Sequence, residues 1–319
     1  MNRYNTIFLM FIMLLMVSCN DRITGGKTFL IDSDTEKGFN YPYYLFIPNN
    51  IADDKELTLI TEPNNSGFVS DDMDKHMEKA QRIATLDFYT GNYVARNIQL
   101  PLLVPVFPRS ESEWKIYTHA LDRDVMLQMD TNLERLDLQL LAMVEDARER
   151  LNEMGYKTDE QFFITGFSAS GTFANRFTAL HPEKVKAVAA GGLNGLLFLP
   201  LEELNGKELN YPVGIGDFHE LFGKPFNAEA FKETPQFLFM GALDDNDAIP
   251  YDDAFDPPER EVIYQTLGME MQPLRWENCR LIYKQEAVNA DISTYEGIGH
   301  EHPDEIKNDI LNFFKTLKP

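Results

Sequence analysis

Apolar residues fall along this chain in short blocks separated by turn residues, and the blocks alternate between two periodicities. Runs at 41–47, 57–61, 161–165, 185–190, 235–240 and 292–295 are continuous and short, the pattern of strands buried on both faces. Residues 100–107 are equally apolar but carry two prolines, which predicts an irregular strand. Between these runs the spacing changes to that of helices. Leu133, Leu136, Leu140, Met143, Ala147, Leu151 and Met154 form one helical stripe. Residues 71–90 predict a helix that opens on acidic side chains, as a helix N-terminus favours. Residues 171–180 predict another. A last amphipathic helix places Ile306, Ile310, Phe313 and Phe314 on one face. Strands alternating with helices predict an α/β fold, a mostly parallel central sheet with helices on both faces. Residues 193–234 break the alternation with glycine, proline and the aromatic Tyr211, Phe218, Phe222 and Phe226. They read either as a short cap insertion over a site or as an ordinary surface connection.

One junction carries candidate chemistry. Gly166-Phe167-Ser168-Ala169-Ser170-Gly171 lies between the run at 161–165 and the helix that follows it. Strand, tight turn and helix form the context of a nucleophile elbow, in which small flanking residues let a strand and a helix approach closely around an exposed serine. The usual pattern G-x-S-x-G has Ser170 in its last position here, with glycine one residue later. A serine hydroxyl needs a base and a group to orient that base. Gly241-Ala242-Leu243-Asp244-Asp245-Asn246-Asp247 follows the strand at 235–240, and Gly299-His300-Glu301-His302 follows the strand at 292–295. The chain order Ser, Asp, His is that of α/β-hydrolases.

On these residues the chain resembles the α/β-hydrolase superfamily, in particular the single-domain esterases that include feruloyl esterases and polyhydroxybutyrate-depolymerase-like enzymes. The resemblance covers residues 40–319. It implies that Ser168 is the nucleophile, that Asp244, three residues after Gly241, is the acid, and that His300, in the Gly-His-Glu ending, is the base. The family's His-Gly-Gly stretch after the third strand is missing. Glu62-Pro63-Asn64-Asn65-Ser66-Gly67 stands there instead. An oxyanion hole is then expected from the N–H of Ala169 and one N–H from the loop Asn64, Asn65, Ser66. The implied activity is a serine hydrolase acting on a carboxylic ester, small or polymer-linked, through an acyl-enzyme, with no cofactor and no metal. Two rivals stand beside it. The turn at 241–246 also resembles the acid turn of prolyl-oligopeptidase-type serine peptidases, although 319 residues leave no room for their large accessory domain. A glycan-binding surface lipoprotein on a retired hydrolase fold would be expected to lack a triad member, and none is missing.

Composition narrows the partners. The net charge of −22 disfavours nucleic acid and anionic membrane surfaces, and no basic patch with interleaved aromatics occurs. Arg3 precedes an apolar stretch at 7–17 that is too short to span a bilayer comfortably. Met16-Val17-Ser18-Cys19 resembles a bacterial lipobox, and ordinary signal cleavage or an uncleaved anchor are the alternatives. The expectation is a leader over residues 1–18, a lipidated Cys19 as the mature N-terminus, a tether over 19–39 and a hydrolase domain over 40–319. That places the protein in the bacterial cell envelope, with membrane contact only through its lipid. Cys279 is then a lone cysteine, read as a small buried hydrophobe.

The remaining candidates are weaker. His181 precedes a proline and reads as a helix C-terminal cap. His302 is the alternative base, and His119 can reach a site from the loop after the fourth strand. The acidic turn at 244–247 lacks the glycine and glutamate of an EF-hand loop, and no zinc spacing or phosphate loop is present.

Overall fold

The apolar runs become the strands of one eight-stranded sheet in the computed structural model of the chain, which describes residues 25–51 and 56–318. Along the chain these strands are β1 (Gly26–Ile31), β2 (Tyr43–Pro48), β3 (Ile60–Thr61), β4 (Leu102–Pro105), β5 (Phe162–Phe167), β6 (Val185–Gly191), β7 (Gln236–Gly241) and β8 (Ala290–Tyr295). Their spatial order is β1-β2-β4-β3-β5-β6-β7-β8. β2 is antiparallel to both β1 and β4, and every other neighbouring pair is parallel. The main helices are α1 (Met73–Thr85), α2 (Thr90–Ile98), α3 (Leu136–Glu153), α4 (Ala169–Leu180), α5 (Pro257–Thr266), α6 (Trp276–Gln285) and α7 (Asp304–Leu317).

The two-residue period of each strand divides the core in two. On one face Leu238 and Met240 of β7 join Leu140 and Met143 of α3 and Phe173 and Phe177 of α4. On the other, Phe237 and Phe239 join Ile83 of α1, Val94 of α2 and Ile310 and Phe314 of α7. Because helices cover both faces, β2, β4 and β7 are buried along their whole length, which is why they read as unbroken apolar runs. α4 is buried at all its positions, wedged between the sheet and the outer layer. Among the described residues no helix is long and apolar enough to cross a membrane.

Four expectations need correction or completion. Residues 26–31, read as tether, form β1, which pairs with β2 over Gly26–Ile31. β1 is an edge strand with most residues at least partly exposed, so it carries no continuous apolar run. The run at 57–61 splits. Glu56–Leu57 pairs with Lys157–Thr158 outside the main sheet, and only Ile60–Thr61 enters it. The helix expected over 71–90 ends at Thr85, and α2 starts anew at Thr90. The side-chain amide of Asn92 donates to the Ala84 carbonyl across this break, at 2.6 Å. Residues 193–234 send Leu197, Phe198, Tyr211, Phe218, Phe222 and Phe231 into the core. The leader read over 1–18, the lipidation site Cys19 and the start of the tether lie outside the described residues.

The restart of α2 depends on a residue far away in sequence. Its N-cap, Tyr89, makes no side-chain capping bond. Instead the carboxyl of Glu62, at the end of β3, accepts the N–H of Gly91 at 2.6 Å. A Cβ on Gly91 would stand 2.6 Å from that same oxygen, so glycine permits the approach. Glu62 is 4% exposed, and burial pushes its carboxyl up to about 8, against the pull of the Gly91 N–H and the Thr90 hydroxyl. Between the ordinary carboxyl range and pH 8 the unfolded chain therefore loses a proton that the folded chain keeps. Stability falls as pH rises through this window, by up to about 1.4 kcal/mol per pH unit from this group. Glu62→Gln keeps an acceptor for Gly91 and removes the titration. Denaturant midpoints at pH 5, 6, 7 and 8 are expected to show the variant gaining steadily on the wild type. A constant difference across the series refutes the assignment.

Candidate active site

β5 runs into Ser168 and the chain reverses at once into α4. Ser168 takes φ 62° and ψ −129°, a conformation that costs a non-glycine residue on the order of 1–3 kcal/mol and persists only where its surroundings enforce it. Two hydrogen bonds enforce it here. The Ser168 N–H donates to the Gly191 carbonyl of β6 at 2.8 Å, and its carbonyl accepts from Thr172 at 3.0 Å. The close approach needs bare backbone, because a Cβ on Gly166 would meet the Ser170 carbonyl oxygen at 2.3 Å and one on Gly171 would meet the Gly191 oxygen at 2.4 Å. Ser170 explains the departure from the usual pentapeptide. Its hydroxyl donates to the Phe167 carbonyl at 2.8 Å and accepts the Phe167 N–H at 3.0 Å, so the turn is clamped by a side chain that glycine does not have.

The acid turn and the histidine loop are joined beside it. Ala242 and Leu243 donate backbone N–H groups to Tyr295 and Ile298, each at 2.9 Å. Asp244, 4% exposed, accepts from the Asn246 N–H at 3.0 Å and from His300 Nδ1 at 2.9 Å. That contact assigns the proton to Nδ1 and leaves Nε2 as the basic nitrogen. Asp245 is exposed. Asp247 pairs with the buried Arg275 at 2.6 Å and accepts the Ile249 N–H, so it is committed elsewhere. The geometry thus brings together His300 and Asp244 of the three acidic candidates.

Ser168 and His300 border one cavity of about 430 Å³, whose wall also includes Glu62, Asn65, Phe88, Tyr89, Phe167 and His302. Their side chains are not hydrogen-bonded to each other. Nε2 instead lies 3.3 Å from the amide nitrogen of Asn246, and the imidazole packs on the Phe167 ring with centroids 4.7 Å apart. Nucleophile–base contacts are commonly loose without substrate and tighten when it binds. Asn246 was not singled out by sequence reasoning. Its place next to two carboxylates in the acid turn was the only signal.

The loop offered for the oxyanion divides by role. Asn64 is fully buried, and its amide exchanges two 2.9 Å hydrogen bonds with the backbone of Phe107. The Ser66 hydroxyl donates to the Phe68 carbonyl at 2.9 Å. Asn65 alone of the three lines the cavity with Ser168, and its amide reaches the Phe167 carbonyl at 3.5 Å. Ala169 opens α4, where free N–H groups and the helix dipole favour negative charge. His119, which the loop after the fourth strand could have carried to the pocket, lies buried behind the loop, 2.9 Å from the Phe107 carbonyl and 3.3 Å from Asn64. Burial drives its imidazole down to about 3, so it stays neutral and serves to pin the loop. His181 caps α4 and bonds the buried Asp137 at 2.8 Å. Cys279 is fully buried, and burial raises its thiol to about 12.

No family model matches the chain, and no curated protein matches it. Solved structures do. The chain is similar to poly(aspartic acid) hydrolase-1 from Sphingomonas sp. KT-1, at 17% identity over 92% of this chain and 98% of that one, with a TM-score of 0.58. It is similar to an S-formylglutathione hydrolase from Agrobacterium tumefaciens, at 12% identity over 92% and 95% of the two chains, with a TM-score of 0.53. A thermostable esterase aligns at 16% identity and a TM-score of 0.50, over 92% of this chain and 63% of its own. Identities this low speak for architecture alone. With the mostly parallel sheet, its helical layers and the turn at Ser168, they lead to one conclusion: the chain has the α/β-hydrolase fold.

Proposed function

We propose that the protein is a serine hydrolase that cleaves carboxylic esters through an acyl-enzyme on Ser168. One observation carries the reading: a strained serine at a strand–helix turn shares a cavity with a histidine whose far nitrogen is held by a buried aspartate. In this mechanism Nε2 of His300 moves from Asn246 to the Ser168 hydroxyl and takes its proton as Oγ attacks the ester carbonyl. Asp244 keeps the imidazole in the required tautomer and stabilises the imidazolium. The N–H groups of Ala169 and Asn65 meet the oxyanion. His300 then returns the proton to the departing alcohol, and water releases the acid by the same steps in reverse.

Ser168→Ala is expected to abolish both ester turnover and labelling by a fluorophosphonate probe, with the thermal transition retained. Asp244→Asn is expected to lower turnover by roughly 10⁴-fold by favouring the wrong tautomer. Asp247→Asn is expected to act on stability through Arg275 and to leave turnover within about tenfold of wild type. If Asp247→Asn loses turnover while folded and Asp244→Asn does not, the acid is misassigned. Faster cleavage of an aminoacyl-nitroanilide than of nitrophenyl acetate would favour a peptidase over an esterase.

The envelope location belongs to the same reading. Met16-Val17-Ser18-Cys19 supports acylation of Cys19 and a lipid-anchored enzyme facing away from the cytoplasm. Mass spectrometry of the detergent-extracted protein is expected to find diacylglyceryl on an N-terminal Cys19. A mature N-terminus at any other residue, without lipid, rules it out.

A further inference from the structure

Ser168 borders a second, much smaller space that the mechanism above leaves unused. It has a volume of about 30 Å³ and is walled by Thr172, Arg176, Asn194, Asn246 and Phe255, and His300 is not part of its wall. Thr172 and Arg176 are spaced four apart on one face of α4, and both border this space together with Ser168, which stands just before the helix. Side chains on a helix lean toward its N-terminus, which directs the Arg176 guanidinium back toward Ser168.

Two polar groups of this space make few hydrogen bonds or none. Arg176 is 3% exposed, and its one hydrogen bond to protein goes to the Ala120 carbonyl at 2.9 Å. It forms no ion pair with any described residue. The guanidinium carbon lies 5.5 Å from the centre of the Phe255 ring. Tyr211, Asp122 and Glu259 act on Arg176 without forming an ion pair. The Asp122 carboxyl is already used by the N–H groups of Val125 and Tyr117, at 2.9 and 3.0 Å. The Thr172 hydroxyl is buried with no partner. A guanidinium keeps its charge even when buried, and a buried charge without a counter-charge is costly. An anionic oxygen in the space would satisfy both groups at once.

The chemistry decides which part of a substrate enters. His300 must protonate the leaving alcohol, so the alcohol lies in the large cavity that His300 lines. The acyl carbon is bonded to Ser168 Oγ, and its chain is left to run into the space that His300 does not line. At about 30 Å³, roughly two to three times what one ordered water requires, the space suits a short acyl group better than an aryl or long alkyl one.

We propose that this space is the acyl subsite, and that it takes short acyl groups ending in a carboxylate, bound by Arg176 and Thr172. The substrates are then hemi-esters of short dicarboxylic acids, such as a malonyl ester of a larger alcohol. The proposal rests on the ester-hydrolase reading. In the first step the Oγ–acyl bond forms and the acyl–alkoxy bond breaks. The Ser168 proton leaves on the alcohol through His300, and water then frees the dicarboxylic acid.

The test compares two 4-methylumbelliferyl esters, the hemi-malonate and the isovalerate, which match in shape and differ in charge. Wild-type kcat/KM at pH 7 is expected to favour the hemi-malonate at least tenfold. Arg176→Met is expected to reduce that ratio at least tenfold, and Arg176→Lys to recover part of it. A wild-type arm guards against variants that do not fold: millimolar malonate is expected to slow fluorophosphonate labelling of Ser168 at least fivefold, and isovalerate is not. Normal labelling with no preference for the hemi-malonate, or with no protection by malonate, overturns this proposal alone. Absence of labelling together with absence of turnover on both esters overturns the hydrolase reading beneath it.

Discussion

Everything proposed for this molecule depends on the absence of side chains where β5, β6 and α4 converge. The carbonyl of Gly191 both accepts the Ser168 N–H and stands where a Cβ on Gly171 would have to go. A Cβ on Gly191 would in turn meet the Phe239 ring at 2.1 Å. The elbow is therefore locked to the packing of two neighbouring strands, and its strain is stored by the sheet as a whole. Ser170 tightens that lock with its two bonds to the backbone of Phe167, the residue whose ring His300 packs on.

The same economy of space governs the other half of the site. A Cβ on Gly241 would meet the carbonyl oxygens of Ile298 and Gly299 at 2.3 and 2.4 Å, so the acid turn and the histidine loop can touch only through bare backbone. Once they touch, the Asp244–His300 distance is set by main-chain bonds rather than by the side chains alone. Arg275 draws Asp247 away from the histidine, and this leaves the acidic turn with one carboxylate facing it.

The sequence made the inner parts legible because burial on both faces imposes a simple pattern. Continuous runs at 161–165, 185–190 and 235–240 can only be interior strands, and the order of serine, aspartate and histidine at their ends follows from the same positions. β1 was missed because an edge strand is free to carry Lys27, Thr28 and exposed Phe29 and Leu30. The break between α1 and α2 was missed because its support comes from Glu62 and Asn92, and periodicity does not register a hydrogen bond from another element. Asn246 beside His300, and Arg176 in the small space beside Ser168, were missed for a similar reason. Their significance lies in what surrounds them, and nothing in the neighbouring sequence encodes it. His119 could not be assigned from sequence, since a histidine in a loop gives no sign of whether it faces a cavity or the packing behind it.

The position of β3 has a consequence for how the chain reaches this structure. Its two residues pair on one side with β4 and on the other with β5, where Ile60 meets Phe163 about a hundred residues later. As the chain is made from its N-terminus, β1 to β4 can associate while the flank of β3 stays open until β5 arrives. Closing so long a loop before its contacts can repay the lost entropy is the kind of non-local step that slows folding. The serine after β5 is held by Gly191 of β6 and Thr172 of α4, so its strained geometry requires the strand that follows β5 as well as β5 itself.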